Sequence, residues 1–232
     1  MDIFVGTSGW AYRWNKGGLD WYTRESGFNA IELNTSFYRL PKERMVESWL
    51  NKSKDLHWIV KASRMITHIY KFSEEAVEFW SVFSELFKSL KDLIDFYLFQ
   101  LPPSIKPDSL NLIEDFFSQI KLTGKAVLEA RSIEWFTDEY VDWARRSGLI
   151  FASVDSPSLP LNVYNVNGII YMRMHGRKAW YRYRYSNQEL EEVATKILNL
   201  NPKKIYVFFN NGDGMLENGR FMLGLLRESI SR

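Results

Sequence analysis

Eight short β-rich segments recur along the chain: Ile3 to Val5, Ala30 to Leu33, Leu56 to Val60, Ile94 to Phe99, Ala126 to Glu129, Leu149 to Val154, Ile169 to Met174 and Ile205 to Phe209. Most are separated by stretches whose apolar residues recur at three and four, as in Val77, Trp80, Phe83, Phe87 and Leu90, or Val193, Ile197 and Leu200. That is the period of a helix lying on a sheet. Ser186 with Glu189 has the spacing of a capping box, and Pro107 followed by Asp108 suits a helix start. Segments such as 205–209 and 96–99 are apolar on both faces, as strands covered on both sides require. Alternation of this kind predicts an α/β fold with a parallel sheet. Eight strands predict its closure into a single (β/α)8 TIM-type barrel spanning residues 1–232 as one domain. The barrel is expected to be somewhat irregular, because the stretch from Ser156 to Gly168 holds Pro157, Pro160 and several Asn. It leaves no room for a crossover helix between the sixth and seventh strands. Gly-Thr-Ser-Gly at 6–9 lacks the G-x-G-x-x-G spacing of a dinucleotide loop.

Hydrophobic residues make up 46% and charged residues 25% of the chain, which is globular composition and excludes disordered or collagenous classes. Thirty Lys and Arg against 28 Asp and Glu give a net charge of +2, with no strong global pull on nucleic acid or membrane. The chain has no Cys, so thiol nucleophiles, disulfides and Cys-containing metal sites are excluded. Neither a basic segment followed by an apolar core near Met1 nor an unbroken apolar run of about 18 residues is present, and a cytoplasmic setting away from membranes is expected.

In a (β/α)8 barrel the chemistry sits at the C-terminal ends of the strands, with side chains alternating between the two faces. Here those ends read Gly6-Thr7-Ser8-Gly9-Trp10, Glu32-Leu33-Asn34, Val60-Lys61, Phe99-Gln100, Glu129-Ala130-Arg131, Ser153-Val154-Asp155, Arg173-Met174-His175 and Phe209-Asn210-Asn211. Polar residues two apart share a face, and a buried strand holds them only if they are paired. One polar mouth is therefore expected. Glu129 is the first candidate for general acid or base, since Arg131, Lys61 and Arg173 nearby would hold it ionised; the alternative is a buried salt bridge. Glu32 is a candidate partner in acid–base work, and Asp155 either orients a His or caps the Pro-rich turn. His175 and His68 reach the mouth as base or proton shuttle, whereas His57 lies near the opposite strand end. Two reachable histidines, without a short ligand motif, do not make an expected metal site, and no cofactor is expected. Lys61 reads as an anion ligand or salt-bridge partner.

The segment from Arg173 to Tyr185 interleaves Arg173, Arg177, Lys178, Arg182 and Arg184 with Trp180, Tyr181, Tyr183 and Tyr185. Such a loop can clamp phosphates while aromatic faces stack on bases or sugars. Alternatively, its long side chains cover apolar surface and keep their charges in water.

Taken together, Gly-Thr-Ser-Gly-Trp at 6–10, Glu-Leu-Asn-Thr-Ser-Phe-Tyr at 32–38 with Pro41, Lys-Ala-Ser at 61–63, Ile-Thr-His at 66–68, Gln-Leu-Pro-Pro at 100–103, Glu-Ala-Arg at 129–131 with Trp135, Arg-Met-His-Gly at 173–176 and Phe-Asn-Asn at 209–211 form an ordered pattern. In this the sequence resembles the DUF72, or YecE-like, family. The resemblance implies a (β/α)8-type barrel and supplies no reaction. It implies a shared set at the mouth: Glu32, Asn34, Tyr38, Lys61, His68, Gln100, Glu129, Arg131, Trp135, Arg173, His175 and Asn210. The family usually has His directly after the Arg of the fifth motif, where this chain has Ser132, which argues against a mechanism needing a third histidine.

The leading functional expectation is a hydrolase using acid–base chemistry on an anionic or sugar-containing small substrate. Glu129, His175, Glu32 and Asp155 are its candidate catalytic groups. Lys61, His68, Arg131, Arg173, Asn34, Tyr38, Gln100, Asn210, Arg177 and Trp180 are candidate binding groups. Two alternatives are a nucleic-acid-processing or binding protein using the 173–185 loop, and a metabolite-binding protein without turnover.

Overall fold

The computed structural model describes residues 1–122 and 124–229. Its strands are β1 (Asp2–Thr7), β2 (Ala30–Leu33), β3 (His57–Lys61), β4 (Ile94–Gln100), β5 (Ala126–Glu129), β6 (Ile150–Phe151), β7 (Ser153–Asp155), β8 (Ile169–Met174) and β9 (Lys204–Phe209). The helices are α1 (Gly18–Glu25), α2 (Thr35–Tyr38), α3 (Glu43–Lys52), α4 (Glu74–Leu86), α5 (Leu110–Ile120), α6 (Asp138–Arg146), α7 (Asn187–Leu198) and α8 (Met215–Glu228). The order is β/α alternation with parallel strands, a TIM-barrel-like architecture. The sixth expected strand is divided: Ala152 interrupts it between β6, which pairs with β5, and β7, which pairs with β8. Among the described residues nine strand segments therefore stand where eight were expected. The strands form a four-stranded sheet in the order β1-β9-β8-β7 and a five-stranded sheet in the order β2-β3-β4-β5-β6.

By packing, the chain divides into two compact units. The first comprises 1–32, 55–57 and 152–232; the second comprises 33–54 and 58–151. In the first, β1 runs in register with β9 from Asp2 opposite Lys204 to Thr7 opposite Phe209. Helix α8 packs on β1 and on α7. The buried positions of α7, Leu190, Val193, Ala194 and Ile197, fall at helical spacing on one face. The capping box read from Ser186 and Glu189 is formed in both directions. No helix or strand forms from Ser156 to Gly168; a single antiparallel bridge from Val166 to Ile169 closes that turn.

Aromatic residues fill the second unit. On β4, Tyr97 and Phe99 point the same way, two residues apart, and both meet Trp80 of α4, with centroids 4.9 and 5.4 Å away. Phe99 also meets Phe117 of α5 at 4.9 Å. With Tyr97 and Phe99 committed to the helix side, Phe96, Leu98 and Gln100 fall on the other face of β4 by the period of two. The helical pattern read through Leu90 breaks at Phe87, after which Lys88–Leu90 continues as a 3-10 turn. Pro107 opens a 3-10 turn, Pro107–Ser109, that leads into α5. No helix among the described residues is long and apolar enough to cross a membrane.

Close packing in the first unit turns on Gly6 and Tyr22. A Cβ at Gly6 would lie 2.0 Å from the Ala30 carbonyl oxygen, so only glycine lets β1 approach that closely. The Tyr22 hydroxyl, wholly buried, accepts from the Thr7 N–H at 3.0 Å and donates to the Ala30 carbonyl at 2.9 Å. Burial raises its pKa far above the ordinary tyrosine range, keeping it a donor. Tyr22→Phe strands the Thr7 donor and the Ala30 acceptor, and stability falls by about 1–3 kcal/mol. Denaturant unfolding measures this as a lower midpoint with unchanged slope; an unchanged midpoint would rule the linkage out.

Candidate functional site

In the first unit the alternation of β8 carries Tyr171 and Arg173, and His175 just beyond it, on one face. Glu32, at the end of β2, has no exposed surface, nor has Arg173. Glu32 Oε1 accepts from Ser8 Oγ at 2.6 Å and from Arg173 Nη2; Oε2 accepts from Tyr171 Oη at 2.8 Å and Arg173 Nε at 2.9 Å. A carboxylate offers about four acceptor sites, and all are filled. Burying two ions costs several kcal/mol each, recovered only where the hydrogen bonding is this complete. Arg173 Nη1 lies 3.4 Å from His175 Nε2. The His175 ring is buried, 5.4 Å from the rings of Trp180 and Tyr181.

The loop after β8 is latched to the same unit. Arg177 Nε donates to Asp155 Oδ2 at 3.1 Å, and Nη1 lies 3.1 Å from Glu192 and 3.6 Å from Glu189. Tyr185 Oη accepts from the Gly176 N–H at 2.8 Å and is hydrogen-bonded to Asp155. Gly176 has φ of 109° and a Cβ there would meet the Ala179 carbonyl at 2.5 Å, so the turn requires glycine. Burial raises the Asp155 pKa, against the opposing pull of Arg177. Asp155 thus anchors Arg177 and Tyr185, and its carbonyl accepts the His175 N–H at 2.8 Å. It orients the histidine's backbone rather than its ring. Arg184 is ion-paired with Glu217. Three of the five cations read in this loop, Arg173, Arg177 and Arg184, are therefore neutralised internally.

The second unit gathers Lys61, His68, Gln100, Glu129 and Arg131. Lys61 Nζ donates to Gln100 Oε1 at 2.7 Å and sits 4.1 Å above the Phe37 ring. Gln100 and Glu129 are register partners on β4 and β5. Arg131 Nη2 lies 2.9 Å from Glu129 Oε1, the carboxylate fully buried and the guanidinium nearly so. His68 stands on a π-helical turn, Met65–Ile69, closed by Tyr70 N–H to the Met65 carbonyl at 2.8 Å. Turns of this type recur at functional sites. Its Nδ1 lies 2.7 Å from Thr67 Oγ1, and its ring packs edge-on against Phe37. Burial first, then the charges of Lys61, Arg64 and Arg131, lower the His68 pKa to about 4. The ring is neutral at pH 7.

The remaining expected residues lie at the edges of these clusters. Asn34 opens α2 half-buried, while Tyr38 is 71% exposed. Trp135 is buried, its Nε1 donating to the Ile105 carbonyl at 2.9 Å, which gives it an anchoring place. Asn210 contributes its backbone N–H to the Met174 carbonyl at 2.9 Å; its neighbour Asn211 is the one whose side chain is buried in a network. Ser132 accepts from Lys106 Nζ at 2.9 Å and also bonds Glu134. Ser8, Tyr171, Arg64 and Asn211 went unassigned in the sequence. Tyr171 carried a usable signal, lying two residues before Arg173 on the same face. Among the described residues no group of three or more His, Asp or Glu is placed to hold a metal ion.

Residues 4–228 match the family described as protein of unknown function DUF72. The UPF0759 protein YunF of Bacillus subtilis (strain 168) is 28% identical over 242 residues, an alignment covering 87% of this chain and 84% of YunF. The crystal structure of a DUF72 family protein from Thermotoga maritima MSB8 superposes with a TM-score of 0.81 at 24% identity, over the whole of both chains. At the level of fold alone, a xylose isomerase-like TIM barrel/4-hydroxyphenylpyruvate dioxygenase fusion protein is similar, with a TM-score of 0.61 at 13% identity over all of this chain and 44% of that one. From Phe4 to Glu228, therefore, this chain belongs to the DUF72 family.

Proposed function

We propose that the protein is a hydrolase that acts by acid–base chemistry on an anionic or sugar-containing small substrate, in the cluster of the second unit. The observation that carries the reading is the geometry that sets Lys61 on Gln100 and Arg131 on the buried Glu129, its register neighbour, with His68 beside them, its pKa lowered to about 4 first by burial and then by Lys61, Arg64 and Arg131. A cluster with this positive a field, beside a buried carboxylate, favours a negatively charged ligand. Lys61 and Arg131 hold its charge, as charge-assisted donors do. Glu129, ion-paired at 2.9 Å, accepts the proton of the attacking water. The bound anion offsets the surrounding cations, so the His68 pKa rises and the ring takes up the proton it gives to the leaving group. Substrate charge would thus create the acid. Glu32, with four donors already on its carboxylate, keeps Arg173 in place instead of transferring protons. The nucleic-acid reading loses support from the pairing of Arg173, Arg177 and Arg184 with carboxylates.

Two outcomes test the proposal. In the free protein, NMR titration of the histidine ring signals, assigned with His68→Asn, places His68 at about 4, and inorganic phosphate or citrate moves it upward. The ordinary histidine value is higher, so the unfolded chain binds the extra proton first. Stability contributed by neutral His68 is complete above the unfolded value and falls as pH drops toward 4. A resonance unmoved by any anion would sink the anionic-substrate reading. Second, in a screen of chromogenic phosphate, sulfate and glycoside esters, Glu129→Gln lowers turnover by about 10²–10⁴-fold with anion binding retained. Undiminished turnover in that variant would remove Glu129 as the base.

A further inference from the structure

We infer that Thr67 is a positioning residue for His68: its hydroxyl donates to Nδ1, so that the neutral ring carries its proton on Nε2 and presents it as an N–H donor to a bound oxyanion. The inference deepens the acid–base reading and rests on it for the class of ligand. Thr67 and His68 are consecutive on the π-helical turn Met65–Ile69. On an α-helix consecutive side chains do not face one another, yet here Thr67 Oγ1 and His68 Nδ1 stand 2.7 Å apart. Neither Thr67 nor Ile66 beside it has any exposed surface, so the turn is held firmly on that side. The His68 ring is half-buried and meets Phe37 edge-on at 5.0 Å. Its Nδ1 faces the buried hydroxyl, whereas Nε2 has no partner among the described residues and reaches solvent.

Counting hydrogens decides between two arrangements. A hydroxyl has one hydrogen to give, and a neutral imidazole has one N–H and one bare nitrogen. Among the described residues His68 Nδ1 is the one partner of the Thr67 hydroxyl. Were the ring proton on Nδ1, it would go to Oγ1, and the hydroxyl hydrogen would lie buried with nothing to accept it. That is the costly state for a buried donor. When the hydroxyl donates instead, its hydrogen is used, and the ring proton stands on Nε2, where water or a ligand accepts it. The difference favours this second arrangement by about tenfold or more. An Nε2–H adds a neutral donor to the cations Lys61, Arg64 and Arg131 that act on His68. Such a set suits the acceptor oxygens of a phosphate, sulfate or carboxylate. A second proton on the ring enters at Nδ1 and turns the Thr67 hydroxyl away from its acceptor. The pairing therefore works against the charged ring until an anion has bound.

Long-range proton–nitrogen correlation NMR on the nitrogen-labelled full chain at pH 7 reads the two ring nitrogens separately, with the His68 signals assigned by His68→Asn. A protonated Nε2 and a bare, hydrogen-bonded Nδ1 are expected in the wild-type chain. Thr67→Val keeps the shape of the side chain and removes the hydroxyl, and it is expected to move the Nδ1 signal downfield, to the position of a nitrogen without a donor. Thr67→Ser brings the signal back, which a purely structural role for the methyl group would not do. Thermal unfolding checks that the variants fold, and Thr67→Ala replaces Thr67→Val if that one does not. A proton on Nδ1 in the wild-type chain overturns the inference, as does an Nδ1 signal that loss of the hydroxyl leaves in place. Both readouts are made without an anion, so the two proposals fail separately. The expected nitrogen signals with His68 unmoved by anions would uphold the role of Thr67 and reject the acid–base proposal. Protonated Nδ1 in a chain whose His68 responds to anions would do the reverse.

Discussion

A carboxylate and a guanidinium with no access to water must satisfy one another, and the ends of β1, β2 and β8 are arranged around that requirement. Glu32 is reached by Ser8, Tyr171 and Arg173. Each donor comes from a strand end whose register is fixed elsewhere: β8 by its full pairing with β9, and β9 in turn by its pairing with β1. The ion pair is therefore a consequence of the sheet and also a check on it. A one-residue slip of β8 would turn Tyr171 and Arg173 to the helix side and leave Glu32 buried as a bare charge.

The second unit handles buried charge differently. Lys61 and Glu129 are likewise buried and Arg131 nearly so, and His68 beside them is kept neutral first by burial and then by the charges of Lys61, Arg64 and Arg131. The loop after β8 belongs with the scaffold. Of its cations, which look in isolation like a nucleic-acid clamp, Arg177 is held by Asp155, Glu189 and Glu192, and Arg184 by Glu217.

Much of this was legible in the residues. Strand positions followed from apolar runs, and the period of two assigned Glu129 with Arg131 and Arg173 with His175 to common faces. The helix over Asn187–Leu198 announced its own cap. What escaped reading had a common cause: the partner lay far away in sequence. Tyr171 looks like one more apolar strand residue until Glu32 stands opposite its hydroxyl, 139 residues away in sequence. The break at Ala152 is similar, since the run from Leu149 to Val154 is continuous in apolarity and is divided only by which neighbours its two halves pair with. The cations of the 173–185 loop could be counted from sequence, but their neutralisation could not.

The pairing of β1 with β9 also sets a timetable for synthesis. Asp2 is synthesised well ahead of its partner Lys204, so at roughly 5–20 residues per second the first strand waits on the order of ten seconds or more for the neighbour that completes it. Before that interval ends, the stretches 33–54 and 58–151, which form one compact unit, are already complete and available to assemble. The nascent chain thus carries β1 without its β9 neighbour until Lys204–Phe209 has been made. Gly6, whose missing side chain lets β1 settle against Ala30, gives that strand an early contact while β9 is still to come.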